Sequence, residues 1–130
     1  MSNLNLRMST QTAKDTAALD KEVNEMILSG KALDAFEKFY ADDVVMQENS
    51  DEPRVGKEVN RKAEQDFFSS LASWNDGKLE ASAVNGDTTF TQWYMDVSFK
   101  NGQRYKATQV AVRKWKNGKI AHERFFYNKG

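Results

Sequence analysis

Apolar residues recur every three or four positions in the first half of the chain and every two in the second, which predicts helices followed by strands. Thr12, Thr16, Leu19, Val23 and Met26 follow one another at spacings of four, three, four and three. That face predicts an amphipathic helix of about 18 residues, stopped near Gly30. A shorter helix follows, with Leu33, Phe36 and Phe39 or Tyr40 on one side, and the β-branched pair Val44 and Val45 opens a strand. After Gly56, the series Val59, Ala63, Phe67, Leu71 and Trp74 predicts a third helix that stops at Asn75-Asp76-Gly77.

From there the period is two, and Asn85-Gly86, Asn101-Gly102 and Asn117-Gly118 are hairpin signals. Four antiparallel strands are expected at about 78–85, 88–99, 104–115 and 119–127. Helices first and an antiparallel meander second make an α+β domain with the helices on one face of the sheet. Strand parity then sorts the side chains. Trp93, Met95, Val97 and Phe99 face the helices, and Gln92, Tyr94, Asp96 and Ser98 face away. On the next strand Tyr105, Ala107, Gln109, Ala111, Arg113 and Trp115 point inward, leaving Val110 and Val112 on the outer side. On the last, Ala121, Glu123, Phe125 and Tyr127 are inward and His122, Arg124 and Phe126 outward, an assignment that one β-bulge would invert.

With 130 residues, 39% of them hydrophobic, the chain holds one modest core, expected over residues 9–130 behind a loose tail at 1–8. There is no cysteine and a single histidine, His122, so disulfides, thiolate zinc sites and histidine clusters are excluded, and the composition suits a reducing cytoplasm. No Gly-rich phosphate loop or metal-ligand cluster occurs, so no cofactor is expected. No run approaches the roughly 18 apolar residues of a membrane span, and no basic patch followed by an apolar run opens the chain. Charge is balanced overall but unevenly placed. Residues 1–99 hold 10 Lys/Arg against 18 Asp/Glu, and residues 100–130 hold 9 against Glu123 alone. This basic hairpin either faces acidic helices within the molecule or attracts an anionic ligand, and overall neutrality disfavours nucleic acid.

Residues 39–56, FYADDVVMQENSDEPRVG, carry the clearest signature. The stretch resembles that of ketosteroid isomerases and their SnoaL-like relatives in the NTF2-like superfamily. The resemblance implies a cystatin-like cone, three N-terminal helices packed on a curved, mostly antiparallel sheet, with a small-molecule pocket between them. It implies a homodimer through the outer sheet face as well. Glu48 falls where those isomerases keep a proton-shuttling carboxylate, with the following loop one residue shorter.

Beside apolar Val44 and Met46, a carboxylate at Glu48 would be desolvated and its pKa raised toward values useful for shuttling protons. The alternative is a strand-end acid paired with a lysine or with Arg113. The isomerase's two oxyanion donors fall at Val23 and Ala111, which cannot donate, so the resemblance does not extend to steroid isomerisation. Limonene epoxide hydrolase-like chemistry fails too, since Tyr94, Asp96 and Phe125 supply neither its arginine nor its second acid. The expected pocket therefore contains Glu48 and, around it, Met46, Trp93, Met95, Tyr105, Gln109, Ala111, Arg113, Glu123 and Phe125. Within it Arg113 would pair with Glu48 or Glu123. The expected dimer face is Tyr94, Val110, Val112, His122, Arg124 and Phe126.

Overall fold

The computed structural model describes residues 3–129, with side chains from residue 14 onward. Helix α1 runs Asn3–Leu28, longer than its apolar face predicts. It takes in most of the stretch expected as a tail, of which residues 1 and 2 lie outside the described residues, as does the side chain of Thr12. Gly30, at φ +81°, ends it. The Lys31 amide donates to the Met26 carbonyl at 2.8 Å and the Gly30 amide to that of Ile27 at 3.2 Å. These are the paired bonds of a Schellman stop, in which glycine adopts the left-handed conformation without a steric cost.

Helix α2 (Ala32–Phe39) leads directly into strand β1 (Tyr40–Glu48). A two-residue strand, β2 (Arg54–Val55), doubles back on β1, and helix α3 (Lys57–Ser69) follows. Strands β3 (Leu71–Asn85), β4 (Thr88–Phe99), β5 (Arg104–Lys116) and β6 (Lys119–Phe126) form an antiparallel meander. The sheet order is β2-β1-β6-β5-β4-β3, and β1 joins β6 in parallel. Three helices thus pack on a curved, open, mostly antiparallel six-stranded sheet. Asn117 and Gly118, at φ +53° and +76°, make the tight β5–β6 turn that an Asn-Gly pair favours.

The predicted third helix is too long at its end. It stops at Ser69, and Leu71 to Gly77 are the first half of β3 rather than a helical turn and a loop. Ser70 closes the helix by donating its hydroxyl to the Phe67 carbonyl, and Leu71 then pairs with Phe99. The 3.6-residue spacing of Leu71 and Trp74 is overruled because β4 is long enough to hydrogen-bond this segment. Asn75-Asp76-Gly77 is a bulged stretch of strand, with Asn75 Nδ2 donating to Asp96 Oδ1 and Ser98 Oγ. Glycine at position 77 lets the Trp74 indole lie against the strand, since a Cβ there would come within 2.6 Å of the indole nitrogen and displace it.

The apolar core joins Val23 of α1, Ala35, Phe36 and Phe39 of α2, Val44 and Met46 of β1, Trp115 of β5 and Ile120 of β6. Val59, expected on the buried face of α3, is exposed, and Asn60 takes the interior position. The Asn60 amide donates to the Val44, Arg54 and Gly56 carbonyls, hydrogen bonds to the β1–β2 turn that a valine could not make.

Beside the apolar core lies a polar one. Arg113, 1% exposed, donates from Nε to Glu123 Oε2 at 2.6 Å and from Nη1 to Asp20 Oδ1 at 2.9 Å and Asn24 Oδ1 at 2.7 Å. Asp20 also accepts from Thr89 and Thr91, and Glu123 from the Tyr40 hydroxyl. Asp20 and Asn24 explain why the buried face of α1 is wider than its apolar residues.

Arg113→Met is expected to lower the unfolding free energy by about 3–5 kcal/mol, because it strands two buried carboxylates. Adding Glu123→Gln should recover part of that loss, as read by urea denaturation.

Candidate functional site

The helices and the inner sheet face enclose a cavity of about 510 Å³. Its walls are largely aromatic, among them Phe36, Tyr40, Phe67, Trp74, Trp93 and Phe125. Of the residues expected there, Glu48, Trp93, Met95, Tyr105, Gln109, Arg113, Glu123 and Phe125 line it. Met46 and Ala111 are buried but are not lining residues, and Tyr94, assigned by parity to the outer face, does border the cavity. Val23 is wholly buried in the apolar core.

Inward parity on β5 and β6 follows from the register. Arg113 pairs with Glu123 and Ala111 with Phe125, so these side chains share one face. A bulge between Lys114 and Trp115 puts Trp115 opposite Ile120, which makes Ile120 rather than Ala121 the buried residue at the start of β6. The inward direction of Glu123, Phe125 and Tyr127 survives because the bulge lies before them.

Three carboxylates border the cavity, in different surroundings. Glu48 closes β1, and its Oε2 lies 2.9 Å from Arg54 Nη1. The arginine is itself held by Asn60, whose Oδ1 accepts from Arg54 Nε at 3.1 Å. Glu48 therefore does not have the purely apolar environment expected from Val44 and Met46, and its partner is Arg54 rather than Arg113. The contact lies off the hydrogen-bonding direction, and Glu48 Oε2 is a buried atom without a hydrogen-bond partner among the described residues.

Glu123 is held by Arg113 and Tyr40. Burial acts to lower the Arg113 pKa, but the charges of Glu123 and Asp20 and the Glu123 hydrogen bond outweigh it and raise the value. Burial, with the Glu123 charge beside it, raises the Tyr40 hydroxyl well above its usual range. Arg113 therefore stays charged, and Tyr40 remains a neutral donor.

Glu64, on α3, is the third and was not expected from the sequence. Its only signal is spacing, since Asn60, Glu64 and Phe67 lie four and three apart on the face turned toward the sheet. Burial pushes its carboxyl up to about 8, the charges of Glu123 and Glu48 push in the same direction, and Arg54 opposes them. No hydrogen bond or ion pair holds the Glu64 carboxyl among the described residues. The cavity thus presents an ion-paired carboxylate and a carboxyl whose hold on its proton is strengthened, an asymmetry suited to proton transfer. Tyr127, also lining the cavity, is raised to about 12 by burial first and by Glu48 second.

Of the other residues expected on the outer face, His122 is half-buried, and burial followed by the charges of Lys114 and Arg124 lowers its pKa. Asp96 is bound by Arg104 on that side of the sheet, and this bond holds its carboxyl low. Among the described residues no three His, Asp or Glu side chains are grouped so as to hold a metal ion, and no helix is long and apolar enough to cross a membrane.

Residues 14–127 match the model of the SnoaL-like domain. The structure is similar to that of a candidate SnoaL-like polyketide cyclase of Mesorhizobium loti, which also carries the designation carbohydrate phosphatase. The two are 32% identical over 85% of this chain and 97% of that one, with a TM-score of 0.76. A candidate polyketide cyclase of Xanthomonas campestris pv. campestris is similar at 20% identity over 90% and 93%, with a TM-score of 0.72. An NTF2-like protein of unknown function from Burkholderia pseudomallei K96243 is similar at 13% identity over 88% and 91%, with a TM-score of 0.75. No curated protein matches the chain.

The surroundings of Glu64 give stability a pH dependence of defined sign. Between the ordinary carboxyl value of 4.5 and about 8, the folded chain holds this proton and the unfolded chain does not. Stability from this group is therefore greatest below that window and falls as pH rises through it. Urea denaturation from pH 5 to 9 is expected to show this fall in the difference between the native chain and Glu64→Gln, which lacks the titrating group.

Proposed function

This chain belongs to the SnoaL-like domain family and has the NTF2-like fold, and on that premise we propose that its cavity binds a small, partly apolar organic molecule on which Glu48 moves a proton. The observation that carries this reading is the aromatic-walled space of about 510 Å³ with carboxylates at its border. Small-molecule sites have this size and this combination of apolar wall and few polar groups. The chemistry is of isomerase or lyase type and needs no cofactor. Glu48, ion-paired to Arg54, takes a proton from carbon beside a carbonyl, and the Gln109 amide or the Arg113 guanidinium steadies the negative charge that develops. Steroid isomerisation is left out of the reading, because Val23 and Ala111 offer no oxyanion donor.

A second reading, compatible with the first, is assembly through the outer sheet face. Phe90 and Phe126 are 39% and 42% exposed there. Phe90 pairs with Val112 and Val110 with Phe126, so four apolar side chains on three neighbouring strands form one patch. Tyr94 lies further along β4, and His122 and Arg124 flank the patch on β6. A symmetric pair of chains meeting at this face would cover it.

The neutral apolar fluorophore N-phenyl-1-naphthylamine is expected to show a saturable fluorescence rise with the native chain. Ala63→Trp, which fills the cavity from α3, should abolish the rise without changing the circular dichroism spectrum. With a substrate in hand, Glu48→Gln should lower kcat by about 10²–10⁴-fold with KM little changed. Unchanged turnover would remove Glu48 as the base. Val112→Glu is expected to leave the fold intact and shift sedimentation from dimer to monomer at micromolar concentration. A native chain already monomeric there would rule out the assembly reading.

A further inference from the structure

The cavity has an apolar neighbour. A groove of about 560 Å³ lies where the α1–α2 turn, the last residues of α3 and the start of β3 meet. Ile27, Ala32, Phe68 and Trp74 border both spaces, so cavity and groove adjoin across these four side chains. Leu28 and Leu33 border the groove alone. Leu28, Leu33 and Trp74 are 49%, 37% and 44% exposed, so three of the large apolar side chains that the fold leaves in water gather at this one place. Its charged residues are a pair of opposite sign, Lys31 and Asp34. Apolar surface concentrated in a concave site gains free energy when something apolar covers it.

Resting on the small-molecule reading above, we propose that the ligand has two parts, a flat body held in the cavity and a flexible hydrocarbon tail that passes between Trp74, Phe68, Ile27 and Ala32 and lies in the groove over Leu28 and Leu33. Two features favour a tail over a protein segment. The groove continues a cavity of about 510 Å³ whose walls are already aromatic, so one molecule can fill both. It is also bordered by ten residues, where a standard protein interface takes roughly 20–30 on each side. A strongly polar extension would be desolvated against leucine, isoleucine and aromatic walls without enough partners to repay it.

Trp74 is the residue that sets the passage between the two spaces. Its strand is bulged between Trp74 and Asp76, and Gly77 lacks the Cβ that would push the indole away, so the ring is held where cavity and groove meet. The two leucines lie on either side of the Gly30 turn, Leu28 at the end of α1 and Leu33 in the first turn of α2. The sharp stop of α1 thus brings both to one groove.

Two fluorescent ketones with one body and different tails test this, 6-propionyl-2-(dimethylamino)naphthalene and 6-dodecanoyl-2-(dimethylamino)naphthalene. Each would be titrated into the native chain, Leu33→Asp and Leu28→Lys, with circular dichroism confirming that these exposed positions leave the fold unchanged. A buried methylene is worth about fourfold in affinity, so the dodecanoyl compound is expected to bind the native chain at least about tenfold tighter than the propionyl compound. Both substitutions should weaken the dodecanoyl compound by about tenfold and leave the propionyl compound, too short to reach the groove, within about twofold. Equal affinity for the two compounds, or substitutions that weaken neither or both alike, would overturn the proposal and leave the small-molecule reading standing. A native dimer that Leu33→Asp converts to monomer in sedimentation would assign the groove to a second copy and overturn it as well. If N-phenyl-1-naphthylamine binds and neither ketone does, the tail proposal falls alone. If nothing binds, both fall.

Discussion

The structure depends on one buried cation. Arg113 lies on β5, yet its guanidinium reaches Asp20 and Asn24 on α1 and Glu123 on β6, fastening the longest helix to the sheet. A charge so placed is tolerated only because two carboxylates and an amide oxygen face it at hydrogen-bonding distance. Those partners are in turn held by Thr89 and Thr91 of β4 and by Tyr40 at the start of β1. The network thus ties together α1, β1, β4, β5 and β6. It also places two of the cavity's polar residues, Arg113 and Glu123, so the floor of the site and the anchor of the fold share side chains.

A second, smaller network sets the character of the cavity's edge. Asn60 on α3 takes three backbone carbonyls from the β1–β2 region and accepts from Arg54, which faces Glu48. Arg54 is paired with Glu48 and only partly offsets the cost of ionising Glu64, one helical turn beyond Asn60. Two glutamates bordering one cavity therefore differ: one is ion-paired, and the other is desolvated and repelled by its neighbours. Catalytic and binding sites commonly use such a difference, and here it follows from the burial of Glu64 and from the pairing of Arg54 with Glu48.

Much of the fold could be read in the residues themselves. Gly30 stops α1, Asn117-Gly118 turns β5 into β6, and alternation along β4 and β5 sorts inner from outer side chains, because each is governed by local backbone geometry or by a fixed period. Where reading failed, a distant partner decided. Leu71 and Trp74 keep helical spacing but are strand, because β4 extends far enough to pair with them. Val59 is apolar and exposed, while Asn60 is polar and buried, because backbone carbonyls converge on position 60. Ile120 displaces Ala121 from the interior through a bulge that leaves no mark in the sequence.

The sequence by itself determined the architecture and the family, since residues 39–56 and the periodicities are local patterns that survive without knowledge of contacts. It also supplied much of the sheet side of the cavity wall, because strand parity is fixed by the pleat. Tertiary structure alone decided what each acid is. Glu48, Glu64 and Glu123 are the same residue in sequence and differ in their burial and in which charges lie within reach, and both are set by how α1 and α3 close over the sheet. Charge interactions and desolvation depend on distances across the fold, and no local pattern encodes those distances.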